Sequence, residues 1–256
     1  MEIKSTQVEQ MLLSRLAQRE VTELMHQYLV PYKELMAYYR CAMMEVSAKF
    51  NVLNEELSLQ YDRNPIENIR TRLKTPESIA KKLQKREYPL TVESIENNLS
   101  DVAGVRVICS YTTDIYMLAE ALTRQDDVIL LQTKDYIKTP KPNGYRSLHL
   151  IIETPIFLHK EKRLMKVEVQ LRTISMDLWA SLEHKIRYKK VLPDSNEIDK
   201  ELLECAIMSA ELEKRMEQIQ KVSDRYTYAE TEKPELHTIL ERLLGDPDLQ
   251  KTADFS

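Results

Sequence analysis

Glycine is nearly missing from this chain: 3 among 256 residues, against 13 tyrosines and 11 methionines. The shortage disfavours glycine-rich β architectures and the glycine-rich loops that usually cradle phosphates, so any nucleotide site must be built from side chains. Cysteine is equally scarce. Cys41, Cys109 and Cys205 are odd in number and far apart, which argues against a disulfide framework or a zinc knuckle. No apolar run approaches the ~18 residues of a membrane span, and the charged stretch from Met1 to Glu20 lacks the apolar segment of a secretory leader. The expectation is a soluble, cytoplasmic protein without a membrane anchor. A formal net charge of −4 with both signs interspersed gives no bulk attraction to nucleic acid and leaves room for a local basic pocket.

What is present is ample core material, 43 % hydrophobic residues, in patterns that change along the chain. Val8, Met11, Leu12, Leu16, Leu24 and Met25 predict one helix, interrupted at Pro31. A second begins near Tyr32 and runs through Leu35, Met36, Tyr39, Met43, Val46, Phe50, Leu53 and Leu57. From Ile66 the period changes, and VRVIC (105–109), VILLQ (128–132), LHLII (148–152) and MKVEVQLR (165–172) read as strands. Helical segments are expected over Pro76 to Arg86, Ile115 to Arg124 and Ser175 to about Lys190. The alternation predicts an α+β fold, a mixed β-sheet flanked by helices with N- and C-terminal helical extensions. In the last helix, about Asn196 to Val222, Ile198, Leu202, Cys205, Ser209, Leu212, Met216 and Ile219 form a roughly heptad seam, suited either to the chain's own core or to a subunit contact. The expected divisions are N-terminal helices 1–58, a core domain 59–192, an oligomerisation helix 193–225 and a polar tail 226–256.

Four runs carry chemistry. RTRLKTPESIAKKL (70–83) gathers Arg70, Arg72, Lys74, Lys81 and Lys82 around a helix start, where Thr75 or Ser78 can cap, an arrangement that suits a polyphosphate. Such a cluster is also commonly just a solvated face. In DVAGVRVIC (101–109), alternation sends Ala103, Val105, Val107 and Cys109 to one side and Gly104 and Arg106 to the other, with Asp101 at the strand mouth. Asp101 is either half of a structural ion pair or a ligand for magnesium, which proteins hold by one or two carboxylates plus phosphates. In VEVQLRT (167–173), Glu168, Gln170 and Arg172 share one face of an otherwise apolar strand, which is hard to explain as core; beside the Asp101 strand, Glu168 could share a metal ion with it. YIKTPKPNGYRSLHLII (136–152) makes a loop entering a strand, where Tyr145 can stack on a base or merely pack, and His149 decides nothing alone.

Together, RLKTPESIAKKL, DVAGVR, NGYRSLH and VEVQLRT followed by MDLWASLEHKIRYK resemble the synthetase domain of the RelA/SpoT family over about residues 30 to 220, and the short chain resembles its small alarmone synthetases. The resemblance implies a pyrophosphokinase that moves pyrophosphate from ATP to the 3′-hydroxyl of GTP or GDP. It implies Mg²⁺ held by Asp101 and Glu168, with Glu168 helping to deprotonate the attacking hydroxyl. Arg72 and Arg106 match the pair that sandwiches adenine, and Lys74, Ser78 and Lys82 match residues gripping the ATP phosphates. Tyr145 inherits stacking on guanine, and His149 and Gln170 match residues lining the same pocket. Lys134, Lys138, Lys141 and Arg146 are then candidates for the acceptor's 5′-phosphates.

The long members of the family also carry a hydrolase domain with an HD pair. None of the 5 histidines here forms one, so synthesis without hydrolysis is expected. The resemblance further implies a homotetramer and a (p)ppGpp effector near Lys33, Arg40 and Lys49, although so sparse a positive charge weakens the effector reading. Asp177, where some relatives carry asparagine, is expected to pair with the N1–H and 2-amino donors of guanine; the plainer alternative is a helix cap. The competing functions are another nucleotidyltransferase on a related fold and an RNA-binding, ribosome-associated module. A missing Gly-Ser turn with paired aspartates disfavours the first, and the net charge with the Glu168, Gln170, Arg172 face disfavours the second.

Overall fold

A computed structural model describes residues 25–61, 63–187 and 195–231. The helix expected before Leu24 and the end of the polar tail, 232–256, lie outside these residues. A π-helical turn, Met25–Leu29, leads straight into helix α1, Val30–Tyr61. Pro31 therefore falls in the first turn of α1, where its missing N–H costs nothing, instead of separating two helices as its sequence position suggests.

The remaining elements are β1 (Ile66–Leu73), α2 (Pro76–Lys85), α3 (Val92–Asn98), β2 (Ala103–Cys109), α4 (Thr112–Thr123), β3 (Ile129–Asp135), β4 (Leu148–Phe157), β5 (Lys162–Thr173), α5 (Ile174–Arg187) and α6 (Ser195–Thr231). The strands form one mixed sheet in the order β1-β2-β5-β4-β3, parallel between β2 and β5 and antiparallel elsewhere. The α+β expectation is met. Strand β1 and helix α3 were not anticipated. As an edge strand, β1 buries only Ile66 among its eight residues, so it lacks the apolar alternation by which strands are read.

The helices α1 and α4 cover one face of the sheet. Leu35, Tyr39, Val46 and Phe50 of α1, and Ile115, Leu118 and Leu122 of α4, join Val105, Val107, Val167, Val169 and Leu171 in one buried core. A second, small cluster of Trp179, Ala180, Leu202 and Ala206 ties α5 to the start of α6, with Tyr145 packed against it.

The chain divides into two compact units, Met1–Ser209 and Ala210–Ser256. The first extends past the boundary expected at 192, because Leu202 and Ala206 are buried with α5. In the second, Leu212, Met216, Ile219 and Val222 are exposed apolar residues on the continuing helix. No helix among the described residues is long and apolar enough to cross a membrane.

Candidate active site

The register of the sheet lines up one residue from every strand. Arg70 on β1 pairs with Arg106 on β2, Arg106 with Gln170 on β5, Gln170 with His149 on β4, and His149 with Lys134 on β3. Paired residues on neighbouring strands project to the same side, so a polar row crosses the whole sheet. A second row begins Arg72, Gly104, Glu168. The glycine leaves the floor between Arg72 and Glu168 open, and the backbone oxygens of those two residues would lie 3.4 and 4.0 Å from a β-carbon placed there. Arg70, Arg72, Lys74, Asp101, Arg106, Glu168 and Gln170 line a cavity of about 460 Å³ over these rows.

Asp101 enters from the turn before β2, pinned by a backbone hydrogen bond from Lys74 N to Val102 O at 2.8 Å. Its Oδ2 receives Lys74 Nζ at 2.8 Å and Lys82 Nζ at 2.6 Å, while its Oδ1 is buried and accepts no hydrogen bond. Burial pushes the Asp101 carboxyl up, but the two ammonium groups outweigh it and hold the group below its ordinary range. Lys82 is delivered by α2, which starts with Thr75 as N-cap, accepting from Ser78 N at 3.3 Å, and Pro76 in the first turn. Ser78 Oγ accepts from Thr75 Oγ1 at 3.0 Å, so it stands on the same first turn.

Glu168 is bonded on both oxygens. Its Oε1 lies 3.3 Å from His149 Nδ1, and its Oε2 accepts from Gln170 Nε2 at 2.9 Å. Burial raises its pKa, and the His149 and Gln170 contacts lower it further than burial raises it. An ionised carboxylate only accepts, so Nδ1 of His149 carries the hydrogen in this contact. In a neutral ring Nε2 is then an acceptor, and the Tyr145 hydroxyl, 2.8 Å away, donates to it. Arg172 Nη2 donates to the same hydroxyl at 2.7 Å and to Gln170 Oε1 at 3.1 Å. The sequence pattern places Arg172 on the polar face of its strand without a role; these bonds make it the link between Tyr145 and the row.

Lys134, Lys138 and Lys141 separate. Lys141 Nζ stands over the rings of Tyr136 and Tyr145, at 4.6 and 4.9 Å. Lys134 is exposed and in register with His149. Lys138 turns instead to Tyr116 of α4, 5.2 Å from its ring, with Asp135 at 3.8 Å. Gly144 has φ +86, and a β-carbon there would collide with the Ala206 β-carbon and lie 3.3 Å from Leu203 Cδ1. The loop before β4 thus rests on α6. Asp177 does not stand free: its Oδ1 lies 3.2 Å from Arg106 Nη1 and 3.1 Å from Arg172 Nη1.

Among the described residues no group of three or more His, Cys, Asp or Glu is arranged to hold a metal ion. Asp101, with its unpartnered buried Oδ1, and Glu168, in the same cavity, fit a cation that takes its other ligands from phosphates and water, as magnesium does. An open mixed sheet with two carboxylates set among arginines and lysines makes a site of the character that suits a polyanion. The chain belongs to the RelA/SpoT family: the region found in RelA / SpoT proteins matches residues 71–192. It is 42 % identical over 193 residues to the GTP pyrophosphokinase YwaC of Bacillus subtilis, covering 75 % of this chain and 92 % of that protein. It is 32 % identical over 158 residues to the GTP pyrophosphokinase YjbM of the same organism, covering 62 % and 74 %. The fold matches the crystal structure of small alarmone synthetase 2 from Bacillus subtilis with a TM-score of 0.67 at 40 % identity, over 74 % of this chain and 98 % of that one. It matches small alarmone synthetase 1 bound to its product pppGpp with a TM-score of 0.68 at 29 % identity, over 74 % and 96 %.

Proposed function

We propose that this protein is a GTP or GDP pyrophosphokinase, which transfers the β,γ-pyrophosphate of ATP to the acceptor's 3′-hydroxyl and so makes pppGpp or ppGpp, with AMP leaving. The observation that carries the reading is the meeting of Asp101 and Glu168 in one cavity between basic residues of β1 and α2 and the Tyr145 loop. ATP lies on the β1 and β2 side, its adenine between the flat guanidinium groups of Arg72 and Arg106 and its phosphates on Lys74, Ser78 and Lys82. The acceptor guanine stacks on Tyr145, with His149 and Gln170 beneath it and Lys134 and Lys141 toward its 5′-phosphates.

Asp101 and Glu168 would hold Mg²⁺, which when bound would supply charge neutralisation of the transferred group. The acceptor's 3′-oxygen forms a bond to the β-phosphorus in line as the bond from that phosphorus to the α,β-bridging oxygen breaks, and AMP carries that oxygen away. Glu168 accepts the hydroxyl's hydrogen bond and, as the new bond forms, its proton. A weak base suffices where the transition state is loose, so most of the catalysis comes from positioning.

The reading includes synthesis without hydrolysis, a cytoplasmic location and a homotetramer joined through the exposed apolar residues of α6. The effector cleft has less support, since Lys49 is bonded to Asp127 at 2.6 Å. Purified protein with labelled ATP, GTP and Mg²⁺ is expected to yield AMP and a 3′-pyrophosphorylated guanosine nucleotide. Release of inorganic pyrophosphate would instead identify a nucleotidyltransferase.

A further inference from the structure

The Asp177 carboxylate stands where three guanidinium groups converge. Oδ1 takes Arg106 Nη1 at 3.2 Å and Arg172 Nη1 at 3.1 Å, and Oδ2 faces Arg70 Nη1 at 3.6 Å. The three arginines come from three adjacent strands, β1, β2 and β5. Neither role expected for Asp177 fits this geometry. Capping of α5 is done by Thr173, whose Oγ1 accepts from Met176 N at 3.2 Å, and Asp177 lies further along the first turn. Two-point reading of guanine needs both carboxylate oxygens available, whereas Oδ1 already serves two donors and the residue is buried.

Convergence of three cations needs a counter-charge. Arg70 and Arg106 are directly paired across β1 and β2, a placement that is destabilising for like charges. Burial, and then the charge of Arg172, depress the proton affinity of Arg106, and Asp177 opposes them. The arginines so held point to different ends of the site. Arg106 lies on the β1 and β2 side; Arg172 hydrogen-bonds the Tyr145 hydroxyl at 2.7 Å, and Tyr145 in turn meets His149. One buried carboxylate therefore sets side chains over both halves of the sheet.

We infer that Asp177 is a positioning residue shared by the two nucleotide sites, the counter-ion that holds Arg106 for the ATP base and, through Arg172, Tyr145 for the guanine. The inference rests on the assignment of the two halves made under the proposed function. It is tested by binding, apart from turnover. Asp177→Asn in the full chain keeps the shape and removes the charge. Calorimetric titrations with α,β-methylene-ATP and, separately, with GDP are expected to show both Kd values raised about fivefold or more. The preference for GDP over inosine diphosphate, which lacks the 2-amino group, is expected to stay within about twofold of wild type. A loss confined to GDP, with a falling preference over inosine diphosphate, would overturn the inference in favour of base reading. Unchanged Kd values for both ligands would overturn it outright. If Asp177→Asn does not fold, as judged by circular dichroism, the same titrations are made on Asp177→Glu, which keeps the charge on a longer stem. That variant is expected to weaken both ligands together, and a one-sided loss overturns the inference. Binding of neither nucleotide by the wild-type protein would reject the pyrophosphokinase reading itself, and the inference with it.

Discussion

Lys82 closes on Asp101 at 2.6 Å, so the carboxylate proposed to hold the metal ion is already neutralised by lysine in the free protein. Lys74 adds a second ammonium group at 2.8 Å. A divalent cation arriving alone meets two positive charges beside its ligand, whereas a triphosphate draws the lysines onto itself. Metal affinity is therefore expected to rise at least ~10-fold when a non-reacting ATP analogue is present, about 1.4 kcal/mol. Titration of Mn²⁺ followed by electron paramagnetic resonance checks this, and Lys82→Met is expected to tighten nucleotide-free metal binding while weakening the analogue. Equal metal affinity with and without analogue would refute the clamp.

Asp101→Ala and Glu168→Ala are each expected to lower kcat more than ~100-fold, roughly 2.7 kcal/mol in the barrier, with the fold intact by circular dichroism. A variant that keeps more than about a tenth of wild-type kcat, a loss under ~1.4 kcal/mol, would remove that carboxylate from the metal site.

The pH dependence has a defined sign. Both carboxyls lie below their ordinary values of 3.8 and 4.5 in the folded protein, so each contributes stability above about pH 4.5 that is lost as pH falls through the lower folded value. The difference in thermal midpoint between wild type and Asp101→Asn is expected to be largest near neutral pH and to shrink toward about pH 3. A difference that grows on acidification would contradict the pairing with Lys74 and Lys82.

Gly144→Ala combines two penalties, a left-handed backbone and a collision with Ala206. The expected cost is ~1–3 kcal/mol in stability. Because the displaced loop carries Tyr145, the KM for GTP is expected to rise several-fold, roughly 1 kcal/mol, with the KM for ATP little changed. Steady-state kinetics with each substrate varied in turn check it; an effect on ATP alone would detach the loop from the acceptor.

Leu212 and Met216 are exposed on α6. Leu212→Glu with Met216→Lys is expected to reduce a tetramer to smaller species in light scattering, since two buried apolar side chains are together worth about 3–6 kcal/mol per interface. A wild-type protein that is monomeric and active would show that these exposed apolar side chains take no part in assembly.

Much of the site was legible in the sequence because its signals are local. Period-two alternation in VEVQLRT put Glu168, Gln170 and Arg172 on one face, as the strand has them, and the Thr75–Pro76 start of α2 follows from capping chemistry. Strand order is not a local property. That β2 runs parallel beside β5 was only a condition in the sequence, and the five-residue row from Arg70 to Lys134 cannot be seen without it. The bonds of Asp177 are likewise non-local, its partners Arg70 and Arg106 lying 107 and 71 positions away by number. Strand β1 was hidden because its residues serve the cavity and solvent instead of a core.

The first fifteen residues of α6, Ser195–Ser209, bear on where this chain can be cut. Trp179 gives its Nε1 hydrogen to Leu202 O at 2.8 Å, and Ser175 shares a 2.6 Å hydroxyl contact with Ser209. A fragment ending near residue 192 would leave that indole donor without a partner, a loss of ~1–3 kcal/mol, and strip the surface on which the Tyr145 loop rests. Fusions and exchanges between relatives should therefore join after Ser209, so that the catalytic piece carries its own stretch of the tail helix.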